Sequence, residues 1–299
     1  MASLRQQDAT PGCWQHPAKA HSDGSPGALE LCTGTDESES QLARLVSTIE
    51  GEIIPRLMLA HRADVGIPPD TLGDCATFKA ADVEEFTRLV LTHDADIALS
   101  FLTATRLRGA SMENVFLNLL APSARKLGDW WNADLCDFTE VTLGLLRLHQ
   151  ILHALSPVFE NELEHRGMGP RALLVPTPGE QHMFGVAMVA EFFRRGGWYV
   201  CDEPVATSEE LLALVRGEWF DVVGLSLSCA TRLDGLARII HGIRQKSRNR
   251  DVGVLVGGKA FLDNPDAVAL VGADAMAHDG RMAVIQAQNI LGLLAIRGR

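Results

Sequence analysis

The chain has 299 residues, 46% of them hydrophobic, which is enough for one large or two medium domains with sizeable cores. Its 38 acidic residues against 27 Lys and Arg leave a formal net charge of −11, which disfavours tight independent binding to DNA or to anionic membranes. No apolar run reaches the roughly eighteen residues of a membrane span, and no charged-then-apolar leader opens the chain, so a cytoplasmic protein is expected. The six cysteines (Cys13, Cys32, Cys75, Cys136, Cys201 and Cys229) are scattered without a Cys-x-x-Cys pair, which fits reduced thiols better than a disulfide framework.

Residues 1–37 are rich in Gly, Pro, Ser, Gln and Asp, lack an apolar period, and read as a flexible arm. Cys13, His16, His21 and Cys32 lie in it, at spacings that fit no zinc module. From Ser38 the pattern changes. Leu42, Leu45, Val46, Ile49, Ile53, Leu57 and Met58 recur at three and four and predict an amphipathic helix, kinked near Gly51 and Pro55. It reads first as a helix packed on its own bundle, and second as a cap or partner surface. Four further helices are expected over 80–92, 94–108, 111–131 and 137–159, and 38–160 is thus a helical bundle domain.

A polar linker near 160–170 leads to a second domain, 168–299. Apolar strand-like runs at 172–175, 198–202, 222–227, 252–257 and 274–277 alternate with helical patterns at 186–196, 208–216, 233–246, 265–271 and 280–294. Regular alternation of this kind predicts an α/β fold, a doubly wound parallel sheet of the Rossmann-like or flavodoxin-like type. Three of the strand ends carry a broken signature. Glu180-Gln181-His182-Met183-Phe184-Gly185 follows the first run, Ser226-Leu227-Ser228 the third, and Gly257-Gly258 the fourth. Strand ends on one edge of a parallel sheet are where such folds bind ligands.

The signature resembles that of the vitamin B12 binding domain, Asp-x-His-x-x-Gly followed at long fixed intervals by Ser-x-Leu and Gly-Gly. The resemblance implies that His182 is the lower axial ligand of cobalt, displacing the cofactor's own dimethylbenzimidazole. It also implies that Gly185, Ser226, Gly257 and Gly258 line the slot for the displaced nucleotide tail, where small side chains are needed. Independently, a metal-bound imidazole usually gives its other N–H to a carboxylate, and Glu180 is placed to accept it. This chain departs from the pattern twice, with Glu180 in place of Asp and Ser228 in place of Leu or Thr.

A bundle ahead of such a domain is again what the resemblance implies, as a cap over the upper face of the corrin. Light-responsive B12 regulators carry a Trp, nine residues, then Glu-His on that face. Trp130 and Glu140 match here beside Trp131, while Val141 stands where the His would be. An indole can pack over an adenosyl group and a carboxylate can hold a hydroxyl; the plainer alternative is a bundle Trp pair with a solvated Glu. His149 and His153 are turned from Val141 by roughly 80° and 120° on the same helix, so neither simply replaces the missing imidazole. Met183 and Phe184 read as core-facing or corrin-facing, and His278 and Asp279 as possible flanks of the tail slot.

The 299 residues leave no room for a mutase barrel, and no DNA-binding head is expected in them. The layout is similar to the AerR/PpaA group of B12-binding antirepressors. That likeness implies a non-enzymatic light- or redox-responsive transcriptional regulator from a photosynthetic context, acting through a redox-responsive repressor of the CrtJ/PpsR type. Cobalamin, as adenosylcobalamin or hydroxocobalamin, is the implied cofactor; haem, also proposed for that group, is the second choice. The competing expectation is a corrinoid methyl-carrier protein of a methyltransferase system.

Overall fold

A computed structural model describes residues 78–161 and 169–297, all of which fall in one compact unit, Ile54–Arg299. The arm and the amphipathic helix expected before residue 62 lie outside the described residues. The helical part comprises α1 (Ala80–Thr92), α2 (Ala95–Leu107), α3 (Met112–Val115), a π-helical turn (Phe116–Leu120), α4 (Ala121–Asn132) and α5 (Phe138–Asn161). α1 starts where Lys79 N–H donates to the Asp82 carboxylate at 2.7 Å, and it buries Phe86 and Val90. Its free C-terminal carbonyls are satisfied from α5, as Arg147 donates to Val90 O at 2.9 Å and Leu91 O at 2.7 Å.

One uninterrupted helix was expected over 111–131, and the structure places a π turn inside it. Pro122 stands in the first turn of α4 and has no N–H to give to the carbonyl four residues back. The ladder widens just before it, with Ala121 N–H reaching Phe116 O.

The α/β part holds five parallel strands: β1 (Arg171–Pro176), β2 (Tyr199–Cys201), β3 (Val222–Ser226), β4 (Gly253–Gly257) and β5 (Ala275–Ala277), in the order β2-β1-β3-β4-β5. This is the flavodoxin-like order, with its topological switch point between β1 and β3. The connecting helices are α6 (Phe184–Arg195), α7 (Ser208–Gly217), α8 (Leu233–Lys246), α9 (Lys259–Asp263), α10 (Ala267–Val271) and α11 (Gly280–Arg297), with a 3-10 turn at Ala230–Arg232. Two details differ from the sequence pattern. α6 starts two residues early because Phe184 is buried, and α9 exists because the chain turns straight from Gly258 into a helix.

Strand alternation sorts the two faces of the sheet. Leu173, Val175, Val223, Leu225, Val254 and Val256 face α7, α8 and α10. Ala172, Leu174, Val222 and Leu255 face α6 and α11, in a core that continues without a break into the helical bundle. Phe116 stacks on Phe159 with ring centroids 4.4 Å apart, and Phe192 of α6 meets Phe159 edge-on at 5.0 Å. Arg195 lies over the Phe159 ring at 4.6 Å and pairs with Glu113 at 3.0 Å, while the other Glu113 oxygen is 3.4 Å from Arg281.

A core shared in this way makes the two parts one cooperative unit. Denaturant unfolding followed by far-UV circular dichroism and by Trp fluorescence should give coincident transitions. Phe159→Ala should cost about 3–5 kcal/mol, the range for a large buried aromatic, and shift both probes together.

Candidate functional site

The carboxyl ends of the strands form one row across the sheet. Pro176 pairs with Ser226, Ser226 with Gly257, and Gly257 with Ala277. The loop after β1 opens with Thr177-Pro178-Gly179-Glu180, in which Glu180 N–H donates to Thr177 O at 2.7 Å. Pro in the second place and Gly179 at φ +83° in the third make it a type II turn. Thr177, buried, fixes the loop to the next strand by donating to Ser226 O from both its N–H and its hydroxyl, at 2.9 and 2.8 Å.

That turn delivers Glu180 and His182 to each other. Glu180 Oε1 lies 2.6 Å from His182 Nδ1 and accepts from the backbone N–H of Gln181 at 2.9 Å and of His182 at 3.1 Å. Its other oxygen accepts from Ser228 N–H, across the crevice, at 2.8 Å. Burial pushes this carboxyl up, but the hydrogen bonds from the His182 ring and the three N–H groups outweigh it and hold the pKa at about 2. Glu180 is therefore ionised at neutral pH and can only accept, so Nδ1 is the nitrogen that donates, and in the neutral ring this tautomer puts the lone pair on Nε2. The Glu180 side chain is 5% exposed and the His182 side chain 74%, so the anchor is inside and the imidazole stands out at the strand ends. The longer Glu reaches the ring without help.

The small residues behave differently from one another. A Cβ on Gly185 would meet nothing within 4 Å, so this position in the first turn of α6 borders open space. Gly258, at φ +98°, could not carry a side chain, since a Cβ there would strike the Leu227 backbone. Gly257 and Ser226 are half-buried neighbours in the row, and Ser228 gives its N–H to Glu180. Among the described residues no group of three His, Cys, Asp or Glu side chains could hold a bare metal ion. A corrin brings its own four nitrogens, and one outward imidazole held by a carboxylate, with Gly185 beside it bordering open space, fits such a group.

Trp130 is half-buried with Lys126 Nζ 6.0 Å from its ring, and Trp131 is 49% exposed. Glu140 is exposed and closes a capping box on α5: it accepts from Asp137 N–H and donates its own N–H to Asp137, both at 2.8 Å. Leu135 and Phe138, 70% and 72% exposed, lie in the same stretch. Met183 is exposed and Phe184 buried, so that pair splits between solvent and core. His149 is half-buried, its ring edge-on to Phe184 at 5.1 Å, and burial pushes its pKa down; His153 is exposed. His278 lies 3.3 Å from Asp279, which caps α11 through Met282 N–H at 2.7 Å. Sequence reasoning missed Thr177, the type II turn and Arg232, which donates to Pro178 O at 2.5 Å; the Pro178-Gly179 dipeptide was a usable turn signal.

The depressed pKa sets a sign. A carboxyl held at about 2 against 4.5 in the free group contributes stability that is complete above pH 4.5 and lost as pH falls through about 2, on the order of 3 kcal/mol. The NMR signal of the Glu180 side-chain carboxyl carbon should titrate near pH 2 and not near pH 4.5. Glu180→Gln should speed amide exchange at Ser228 and His182 at neutral pH, by about tenfold or more.

Residues 170–287 match the family model of the B12 binding domain. A curated Rhodobacter capsulatus protein, the "Uncharacterized 20.5 kDa protein in bchF-crtJ intergenic region", is 27% identical over 168 residues, which are 56% of this chain and 87% of that protein. The monomethylamine corrinoid protein of Methanosarcina barkeri superposes with a TM-score of 0.58 at 17% identity, over 69% of this chain and 96% of that one. A cobalamin-binding protein from Desulfitobacterium hafniense DCB-2 matches at 18% identity and TM-score 0.39, over 70% of this chain and 98% of that one. The family match and the Rhodobacter relative bear out the likeness to B12-binding regulators that the signature carried. With the outward His182 and the small residues of the signature already on the sheet edge, residues 170–287 are a B12 binding domain.

Proposed function

We propose that this chain is a cobalamin-binding transcriptional regulator, an antirepressor, which passes a light or redox signal to a partner repressor of photosynthesis genes. The observation that carries the regulator reading is its match over most of a protein whose gene lies between bchF and crtJ. A redox-responsive repressor of the CrtJ/PpsR type is the partner this position favours. The net charge of −11 supports action through a protein rather than through DNA.

In this reading His182 Nε2 would hold the cobalt, and Glu180 keeps the ring in the tautomer that leaves Nε2 free. Gly185, Ser226, Ser228, Gly257 and Gly258 would line the slot for the nucleotide tail. Bound adenosylcobalamin would supply a cobalt–carbon bond that visible light breaks. The bundle supplies an end to respond with. Its π turn and the C-terminal part of α5 are anchored on α6 by Phe159, Arg195 and Glu113, whereas the stretch from Trp130 to Glu140 presents Trp131, Leu135 and Phe138 to solvent. An end held by few contacts is the part whose packing an upper ligand can bias by differential contact.

A corrinoid methyl carrier is the second reading, favoured by the fold shared with the monomethylamine corrinoid protein. Visible spectra of the full chain with adenosylcobalamin, in the dark and after illumination, separate the two. The regulator should show a His-ligated spectrum that converts in light to a stable, protein-retained photoproduct, and His182→Ala should abolish the His-ligated form. Binding indifferent to His182 would sink the cobalt-ligand role, and tight binding with no retained photoproduct would favour the methyl carrier.

A further inference from the structure

The loop that carries His182 is gripped from the neighbouring loop at two points. Beyond the Ser228 N–H on Glu180, the chain after β3 folds into the 3-10 turn Ala230–Arg232, whose last residue turns its guanidinium back. Arg232 Nη2 donates to the carbonyl of Pro178 at 2.5 Å. Pro178 and Gly179 are the two central residues of the type II turn, and the Arg232 guanidinium packs so closely on Gly179 that a Cβ there would collide with it. Arg232 is half-buried and lies outside the B12 signature.

Gly179 is the reason a second grip matters. Glycine reaches positive φ without a steric penalty, but it also leaves that geometry as readily, so the turn has little stiffness of its own. The Pro178–Gly179 peptide is the centre of a type II turn, and opening of the turn would carry Glu180 away from Ser228. The charged hydrogen bond from Arg232 to the Pro178 carbonyl opposes that opening directly.

We propose that Arg232 is a positioning residue for the cobalt ligand: by clamping the Pro178 carbonyl it holds the Thr177–Glu180 turn, and through it the Glu180–His182 pair, in the ligating arrangement. The inference rests on the reading of His182 as the lower ligand. Arg232 touches the loop at Pro178 and Gly179, and its effect on ligation travels through His182.

The test is a double-mutant cycle on the full chain, titrated with hydroxocobalamin and followed by its visible spectrum, with thermal melts to establish that each variant is folded. Arg232→Met, which keeps the stem and removes the donors, should weaken binding about tenfold and lower the His-ligated fraction. Arg232→Lys, which can still donate to one carbonyl, should recover part of both. In a His182→Ala background Arg232→Met should change affinity by less than about twofold. Wild-type affinity and spectrum in Arg232→Met, or no recovery by Lys, would overturn the proposal. An equal tenfold loss with His182 absent would also overturn it, because Arg232 would then be acting on the corrinoid itself. If His182→Ala alone binds and absorbs like the wild type, the ligand reading fails first. If His182→Ala is defective and Arg232→Met is not, only the clamp fails.

Discussion

A single carboxylate joins the two loops that leave the sheet at its switch point. Glu180 has one oxygen on the His182 ring and the other on the Ser228 N–H, so the chain after β1 and the chain after β3 are fastened to one another through it. Connections on either side of a switch point run to opposite faces of a sheet, which is why a crevice opens there. Left alone, its walls would be two independent loops. Four hydrogen bonds onto one buried, ionised side chain turn them into a single rim, and the exposed imidazole stands on that rim. Thr177 on Ser226 and Arg232 on Pro178 extend the same fastening on either side.

The bundle is joined to this rim indirectly. α6 begins two residues after His182 and ends at Arg195, so one helix carries Phe184 beside the loop at its start and the Phe192 and Arg195 anchor at its end. Phe184 also touches His149 of α5. A change in how the His loop sits is thus a change at the head of a helix whose far end is locked into the bundle core. Contacts of this kind transmit displacement because close-packed side chains have few alternative arrangements.

Much of the α/β part was legible because its signals are local and periodic. Apolar runs separated by helical patterns gave the parallel sheet, and the spacing of His182, Ser226 and Gly257 gave the edge on which the site lies. Glu180 was legible from coordination chemistry, since a ligating imidazole wants a carboxylate close by. What escaped has two physical origins. The π turn left no trace because the apolar period runs through it, and only Pro122 hinted at a missing donor. Arg232 and Pro178 are 54 residues apart, and nothing in local pattern says where a long guanidinium will land. Glu140 shows the opposite hazard: Asp137-x-x-Glu140 is a plain capping box, and its role at the start of α5 explains its placement whether or not it also meets a ligand.

The unbroken core beneath the sheet also bears on what counts as a module. The stretch recognisable as a B12-binding domain begins at residue 170, yet the apolar face formed by Ala172, Leu174, Val222 and Leu255, with α6 and α11 upon it, is completed by Phe116 and Phe159 from the preceding helices. Cut at that boundary, the segment would bare the aromatic side of α6 to water, a patch of the kind that drives aggregation. The unit that recurs between proteins and the unit that can stand by itself are different lengths of this chain.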